Sequence, residues 1–309
     1  MELTELKGVG EATAVKLEEA GFGNMMSLAA AGPEEISPLT GMSEAQARKL
    51  IAQARKNLNL GFEPAVDYAK KRLRVFRIKT GAKSFDDMLG GGFESGFVTE
   101  IYGWPGAGKS QTCHLIAVRG AIEGKSIFID SENSFRTERI IEIAKSNGLD
   151  PDKVMKNIFV SRSYNSSHQM LLMDEVEKMV QKDNSFKVLI IDSLTSHFRS
   201  DYTARGQLAE RQQKLNKHLH QIVKLADLYN LVVIMTNQVM AQPVMTYGDP
   251  VKPIGGFILG HMSGVRVYLR PGKKGSIKAK MHDSPYLPDA ECNFAIVTKG
   301  LEEVTIKED

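Results

Sequence analysis

The sequence predicts an α/β fold with a mainly parallel sheet, preceded by a small all-α unit. Three observations carry that prediction. Beyond residue 80, apolar runs of strand length alternate with stretches of helical pattern. Those runs, such as Val188-Leu189-Ile190-Ile191, are continuous rather than alternating, as strands buried on both faces of a parallel sheet must be. The first sixty residues hold short helical stretches, small residues and no long β-branched run.

That opening stretch contains an internal repeat. Leu6-Lys7-Gly8-Val9-Gly10-Glu11-Ala12-Thr13-Ala14-Val15-Lys16-Leu17 aligns with Leu39-Thr40-Gly41-Met42-Ser43-Glu44-Ala45-Gln46-Ala47-Arg48-Lys49-Leu50 at an offset of 33, with seven of twelve positions identical. Each copy reads as a turn opening into a helix. We place a first domain at residues 1–58 and a linker at 59–79, where Gly61 and Pro64 interrupt the helical pattern and six basic residues run from Lys70 to Lys79 without an acid. The larger domain, 80–309, has candidate strands at 97–102, 126–129, 157–161, 187–191, 231–236 and 265–269. Segments around 276–281 and 293–297 extend the sheet at an edge.

The strongest motif is Gly103-Trp104-Pro105-Gly106-Ala107-Gly108-Lys109-Ser110, a complete G-x-x-x-x-G-K-[ST] between a strand and a helix through 111–121. Backbone N–H groups of such a loop, with the helix N-terminus, bind anionic oxygens. Lys109 is expected on the β- and γ-phosphates and Ser110 on Mg²⁺. A tight turn with a surface lysine is the bland alternative. Asp192, ending the run from Val188, is expected to act on the metal, through water; alone, such an aspartate is more often a turn residue or helix cap. Glu132, after Asp130-Ser131, is the candidate base for an attacking water, against a surface carboxylate beside the site. Asn237 and Gln238 end the strand at 231–236, where an amide senses the γ-phosphate without adding charge.

Length and composition bound the remaining choices. The 309 residues are 42% hydrophobic and 25% charged, enough for a sizeable core. No apolar run approaches a membrane span, and the start lacks the apolar stretch of a signal peptide. Cys113 and Cys292 are the two cysteines; they exclude a disulfide framework and a four-thiolate zinc site, and fit a reducing, cytoplasmic compartment. Net charge is only +3, so contact with nucleic acid rests on charge placement. Six basic residues face two acids over 199–224, and five more lie unopposed over 270–280.

Taken together the residues resemble a known family. The P-loop, the acids after the next strand, Asp192-Ser193-Leu194-Thr195-Ser196-His197-Phe198-Arg199, Arg211-Gln212-Gln213-Lys214-Leu215-Asn216-Lys217-His218-Leu219, Asn237-Gln238-Val239, Pro253-Ile254-Gly255-Gly256 and Asp283-Ser284-Pro285-Tyr286-Leu287-Pro288 look like the archaeal RadA recombinases. These are relatives of bacterial RecA and of the eukaryotic strand-exchange proteins. The likeness runs in order through essentially the whole chain. It implies a RecA-type P-loop ATPase core behind a helix-hairpin-helix domain. The implied activity is that of a DNA-dependent ATPase forming filaments on single-stranded DNA and exchanging strands with a homologous duplex in repair. The alternative is a recombination mediator or paralogue that binds nucleotide with little strand exchange.

Residue roles follow from the same resemblance. Lys7, Gly8 and Gly10 are expected to meet the DNA backbone; in the second copy Met42-Ser43 replaces Val9-Gly10. Phe62-Glu63-Pro64-Ala65 is similar to the family's F-x-x-A polymerisation motif, with Phe62 and Ala65 of an extended segment entering an adjacent subunit, against Phe62 packing on its own domain. Arg199 and Arg205, in a loop around 198–208, and Arg211, one helical stretch onward, are expected along DNA, against a solvated basic face. Gly255 and Gly256 close a second DNA loop beginning at Val239, in which Tyr247 is a candidate stacker. Gln111 is expected in the nucleotide site, and Arg139 along the adenine, against a helix-surface arginine. Asp283 and Pro288 would cap a neighbour's nucleotide near His261, and Asp283 could help bind K⁺ there. The implied partners are single- and double-stranded DNA, further copies of the chain in helical filaments or rings, and accessory recombination proteins. Departures from the family pattern are Trp104-Pro105, Thr137, Gln242 and Phe257.

Overall fold

The computed structural model describes residues 3–58, 61–241, 251–255 and 257–304, without the side chains of Lys71, Arg205, Ala241, Val251, Phe257, Ile258 and His261. The chain divides into two compact units, residues 1–74 and 75–309.

In the first unit α1 (Glu11–Glu19), α2 (Met25–Ala30), α3 (Pro33–Thr40) and α4 (Glu44–Asn57) enclose a core that includes Leu17, Leu28, Ile36, Ala47 and Ile51. The two repeat copies adopt the same local backbone. Gly8 and Gly41 hold φ of 95° and 73°, which a side chain resists, and Gly10 and Ser43 are the N-caps of α1 and α4. After them, α5 (Ala65–Arg72) has no buried residue among those whose side chains are described.

The second unit is built on a nine-stranded sheet. Its strands are β3 (Phe97–Gly103), β4 (Lys125–Asp130), β5 (Ile158–Arg162), β6 (Phe186–Asp192), β7 (Val232–Asn237), β10 (Val265–Pro271), β11 (Ile277–Asp283), β12 (Glu291–Val297) and β13 (Gly300–Glu303), in the order β13-β12-β11-β10-β3-β7-β6-β4-β5. From β10 to β5 every pairing is parallel, and β10 to β13 are antiparallel. Side-chain alternation explains the unbroken apolar runs. Along β6, Val188 and Ile190 enter one core while Leu189 and Ile191 enter the other; Val232 and Ile234 of β7 part from Val233 and Met235 in the same way. Helices α7 (Lys109–Glu123), α8 (Thr137–Ser146) and α9 (Pro151–Lys156) cover the first core, and α10 (Ser166–Lys182) and α12 (Leu208–Tyr229) the second. Two small ribbons complete the described strands: β1 (Arg77–Ile78) with β2 (Phe93–Glu94), and β8 (Val239–Ala241) with β9 (Val251–Pro253). The remaining helices are α6 (Lys83–Met88), α11 (Ser196–Asp201) and α13 (Phe257–Met262).

Three local readings differ from the structure. The stretch read as a linker is partly structured, since α5 and β1 lie within it, and Ile78 is buried in the core among its basic neighbours. Ala65 opens α5 instead of continuing an extended segment, because Pro64 O accepts the N–H groups of Asp67 and Tyr68 and starts a helical turn. The stretch 198–208 is not simply a loop: α11 occupies its start, anchored by buried Phe198 stacking on His218 at 5.6 Å between ring centres.

Candidate nucleotide site

Four strand ends supply the site. β3 runs into the Gly-rich loop, and α7 begins at Lys109, so the free N–H groups of its first turn lie at the loop. Gly108 has φ of 86°, and a Cβ there would meet Ile277 Cδ1 at 2.4 Å, so the loop needs glycine twice over. Lys109 Nζ donates to the carbonyls of Gly103 at 2.9 Å and Trp104 at 3.0 Å. Partial burial lowers the Lys109 pKa, while the charges of Asp192 and Glu132 pull it upward. Pro105 and Gly106 lie at the exposed turn of the loop, whereas Ala107 is buried.

Asp192, at the end of β6, is buried, and both its oxygens are oriented. Oδ2 accepts the Ser134 hydroxyl at 2.7 Å, and Oδ1 accepts the Thr236 hydroxyl. Asp130, at the end of β4, is committed to the backbone: it accepts the N–H groups of Glu132 at 3.2 Å, Ser134 at 3.0 Å and Phe135 at 3.1 Å. That turn presents Glu132. The Glu132 Oε1 accepts the Ser193 hydroxyl and the Gln238 side-chain amide, each at 2.7 Å. Two of the residues named from sequence, from strands 106 positions apart, are therefore in direct contact.

The oxygen set around the loop, Ser110 hydroxyl and Asp192 carboxylate, suits a hard cation such as Mg²⁺. Among the described residues no group of three or more His, Cys, Asp or Glu gathers to hold a metal unaided, so such an ion would draw its other ligands from phosphate and water. Beside the loop lies an open cavity lined by Gln111, Arg139, Glu142, Ile296, Val297 and Thr298. Arg139 is anchored rather than loose. Its guanidinium donates to Gln111 Oε1 at 2.7 Å, to Val297 O at 2.7 Å and to Thr298 O at 3.2 Å, and pairs with Glu142.

At this point the chain can be set beside known proteins. Residues 71–304 match the Rad51 family, and residues 1–56 match the SAM-like helix-hairpin-helix tandem. The chain belongs to the Rad51 family. It is 44% identical over 309 residues to the DNA repair and recombination protein RadA of Aeropyrum pernix, covering 98% of this chain and 97% of that protein. It is 43% identical over 306 residues to the RadA of Metallosphaera sedula, covering 97% and 94%.

For this Rad51-family chain, the structure distributes the remaining predicted residues as follows. Arg199 is exposed on α11, and Arg211 is half-buried in the first turn of α12. Asp283, ending β11, and Pro288 are exposed beyond the antiparallel half of the sheet. Gly255 turns with φ of 103°. Gly256, Gln242 and Tyr247 lie outside the described residues, as do the side chains of Arg205, Phe257 and His261. In the first unit Lys7, Gly8 and Gly10 are exposed. Phe62 is 113% exposed, which leaves no support for packing on its own domain.

The sequence reading passed over Ser134, Thr236, Ser193 and His114. His114 is buried on α7; its Nδ1 contacts Ser110 O, and its Nε2 accepts the Arg136 N–H at 3.0 Å. Burial lowers its pKa. Apart from His114 to Ser110 within α7, these contacts link segments 22 or more positions apart, and for Thr236 and Ser193 a hydroxyl at a strand end was the available signal. Among the described residues no helix is long and apolar enough to cross a membrane.

Proposed function

We propose that this chain is an ATP-driven DNA recombinase that assembles on single-stranded DNA and exchanges strands with a homologous duplex, and that it works in the cytoplasm. The observation that carries the reading is the assembly of Lys109, Asp192, Glu132 and Gln238 at one sheet edge, in a chain matched over nearly its whole length by proteins named for DNA repair and recombination.

In this reading the residues of the Gly-rich loop, Gly103 to Ser110, cradle the phosphates of ATP through backbone N–H groups. Lys109 leaves the carbonyls of Gly103 and Trp104 for the β- and γ-phosphates, and partial burial makes its charge count for more than it would in water. Ser110 and Asp192 hold Mg²⁺, which neutralises phosphate charge. Glu132 takes a proton from the attacking water. Gln238, now bonded to Glu132, turns to the γ-phosphate when it is present. Gln111 and Arg139 border the base, with the Arg139 plane fixed by its carbonyl partners. Asp283 and Pro288 close over the nucleotide of the next subunit near His261, and Asp283 is placed to take K⁺.

DNA is held by exposed groups. Arg199, Arg205 and Arg211 follow the phosphates, Gly255 and Gly256 permit close approach, and Lys7, Gly8 and Gly10 meet the backbone. Assembly joins Phe62 and Ala65 of one copy to another copy's core. Its receptor is the β5 edge of the sheet, where Phe159 and Val160 are exposed and offer an apolar seat to an aromatic anchor. Accessory recombination proteins would meet the assembled filament.

The test is ATP turnover with and without single-stranded DNA, followed by strand exchange between homologous oligonucleotides. DNA-stimulated turnover with exchange is expected. Nucleotide binding without either activity would point to a mediator instead.

A further inference from the structure

The centre of the sheet buries an ion pair and an amide that none of the steps above uses. Glu100 on β3 is fully buried, and its Oε2 accepts Arg266 Nε from β10 at 2.6 Å. Its Oε1 accepts Asn237 Nδ2 from β7 at 2.7 Å. Asn237 is also fully buried. Its second amide hydrogen goes to Ile254 O at 2.6 Å, and its Oδ1 accepts the Thr195 hydroxyl at 2.6 Å and the Gln238 N–H at 2.8 Å. A side-chain amide has two donors and two acceptor sites, and all four are in use.

The ion pair decides which way the amide faces. A carboxylate accepts and cannot donate, so Glu100 draws Nδ2, and Oδ1 must then turn to Thr195 and the Gln238 N–H. The Arg266 guanidinium, lying 5.6 Å from the Tyr102 ring centre, pairs with Glu100 and holds it in place. Buried ion pairs bring little net stability for their desolvation cost, so orientation is the role the geometry assigns to this one.

Asn237 thereby bonds to three segments at once. Thr195 is the residue before α11, which carries Arg199. Ile254 precedes Gly255, and its N–H donates to Gln238 O at 3.0 Å. Gln238 carries the amide that holds Glu132. Movement of α11 or of the Ile254 turn must either carry Gln238 along or break one of the buried bonds of Asn237, where unpaired groups are costly.

We propose that Asn237, oriented by Glu100 and Arg266, is a positioning residue that couples occupancy of the DNA segments to the setting of Gln238 and Glu132 at the ATP site. This deepens the recombinase reading and rests on it. Replacing Asn237 itself leaves Glu100 Oε1 and Ile254 O without their Asn237 donor in the core and risks unfolding, so the test uses Thr195, which touches neither nucleotide nor metal in the scheme. Thr195→Val keeps the shape and removes the hydroxyl; Thr195→Ser keeps the hydroxyl.

ATP turnover and KM for ATP are measured for both variants without DNA and at saturating single-stranded oligonucleotide. Expected for Thr195→Val is an unchanged DNA-free rate and KM with DNA stimulation reduced about fivefold, the scale of one buried hydrogen bond. Thr195→Ser restores the wild-type ratio. Wild-type stimulation in Thr195→Val overturns the coupling. So does an equal fall of DNA-free and DNA-stimulated rates, the mark of a purely structural residue. A wild-type chain whose turnover ignores DNA overturns the recombinase reading itself, and the coupling with it.

Discussion

The carboxyl edge of the sheet and the first 74 residues solve opposite problems. At the sheet edge, polar side chains are mutually bonded, with Asp192 and Asn237 buried and Glu132 exposed: Asp192 by Ser134 and Thr236, Glu132 by Ser193 and Gln238, Asn237 by four partners. In the first unit the groups named for function are exposed, from Lys7 and Gly10 to a Phe62 that packs on nothing. Chemistry on a small ligand gains from groups fixed before it arrives. Contact with DNA or with another copy needs groups left uncommitted until the second macromolecule supplies their partners. Substitutions at the sheet edge should therefore change rates, and those in the first unit should change association.

The largest effect is expected at Glu132. Glu132→Gln keeps an acceptor for Ser193 and Gln238 but cannot take a proton, so turnover should fall about 10²–10⁴-fold, with nucleotide affinity retained. Single-turnover hydrolysis and binding of a fluorescent ATP analogue measure the two separately. A fall in affinity matching the fall in rate would place Glu132 in binding rather than proton transfer.

Next in size is Phe62→Ala. Removing an aromatic anchor from an interface costs about 2 kcal/mol or more, so the concentration for half-assembly should rise about 30-fold. The melting temperature of the unassembled chain should not move, because the ring is exposed. Light scattering and calorimetry check both. Lost stability with intact assembly would show that Phe62 serves its own chain.

The same contrast explains what could be read from the sequence. The P-loop was legible because its residue types and spacing are set by a ligand, and the sheet strands because burial on both faces imposes unbroken apolar runs; each candidate strand lies within a residue or two of an observed one. The partners of the functional residues were not legible. Ser193 reaches Glu132 across 61 positions and Asn237 reaches Glu100 across 137, and a serine or asparagine at a strand end looks the same whether bonded or free. Asn237 and Gln238, read together as sensors, part company in the fold: one turns into the core, the other to Glu132. The start of the stretch read as a DNA loop is helical because Phe198 finds His218, a contact local pattern does not reveal.

The buried half of the comparison also predicts a pH dependence. His218 is buried beneath Phe198, and desolvation lowers its pKa to about 3; burial likewise lowers that of His114. Between pH 6.5 and 3 the unfolded chain binds a proton at His218 that the folded chain refuses. Stability from this group is thus full above the unfolded pKa and declines as pH falls, by at most about 1.4 kcal/mol per unit. His218→Gln should flatten the slope of melting temperature against pH below 6.5. An unchanged slope would assign the acid sensitivity to other groups.

The smallest effects separate the two repeat copies. No side chain caps Gly10 at the start of α1, which leaves the N–H groups of that first turn for a phosphate. In the second copy Ser43 Oγ accepts the Gln46 N–H at 3.3 Å, and Gln46 Oε1 accepts the Ser43 N–H at 3.0 Å, so the chain's own side chains take the place a phosphate would occupy. Ser43→Ala should therefore cost about 1 kcal/mol of stability in the first unit and leave DNA affinity unchanged. Lys7→Ala should do the reverse, weakening DNA binding and reducing the salt slope by about one. Salt titrations of oligonucleotide binding, paired with thermal melts, read both. Weakened DNA binding in Ser43→Ala would mean that the second copy meets the backbone despite its cap, and that the two hairpins act as equals.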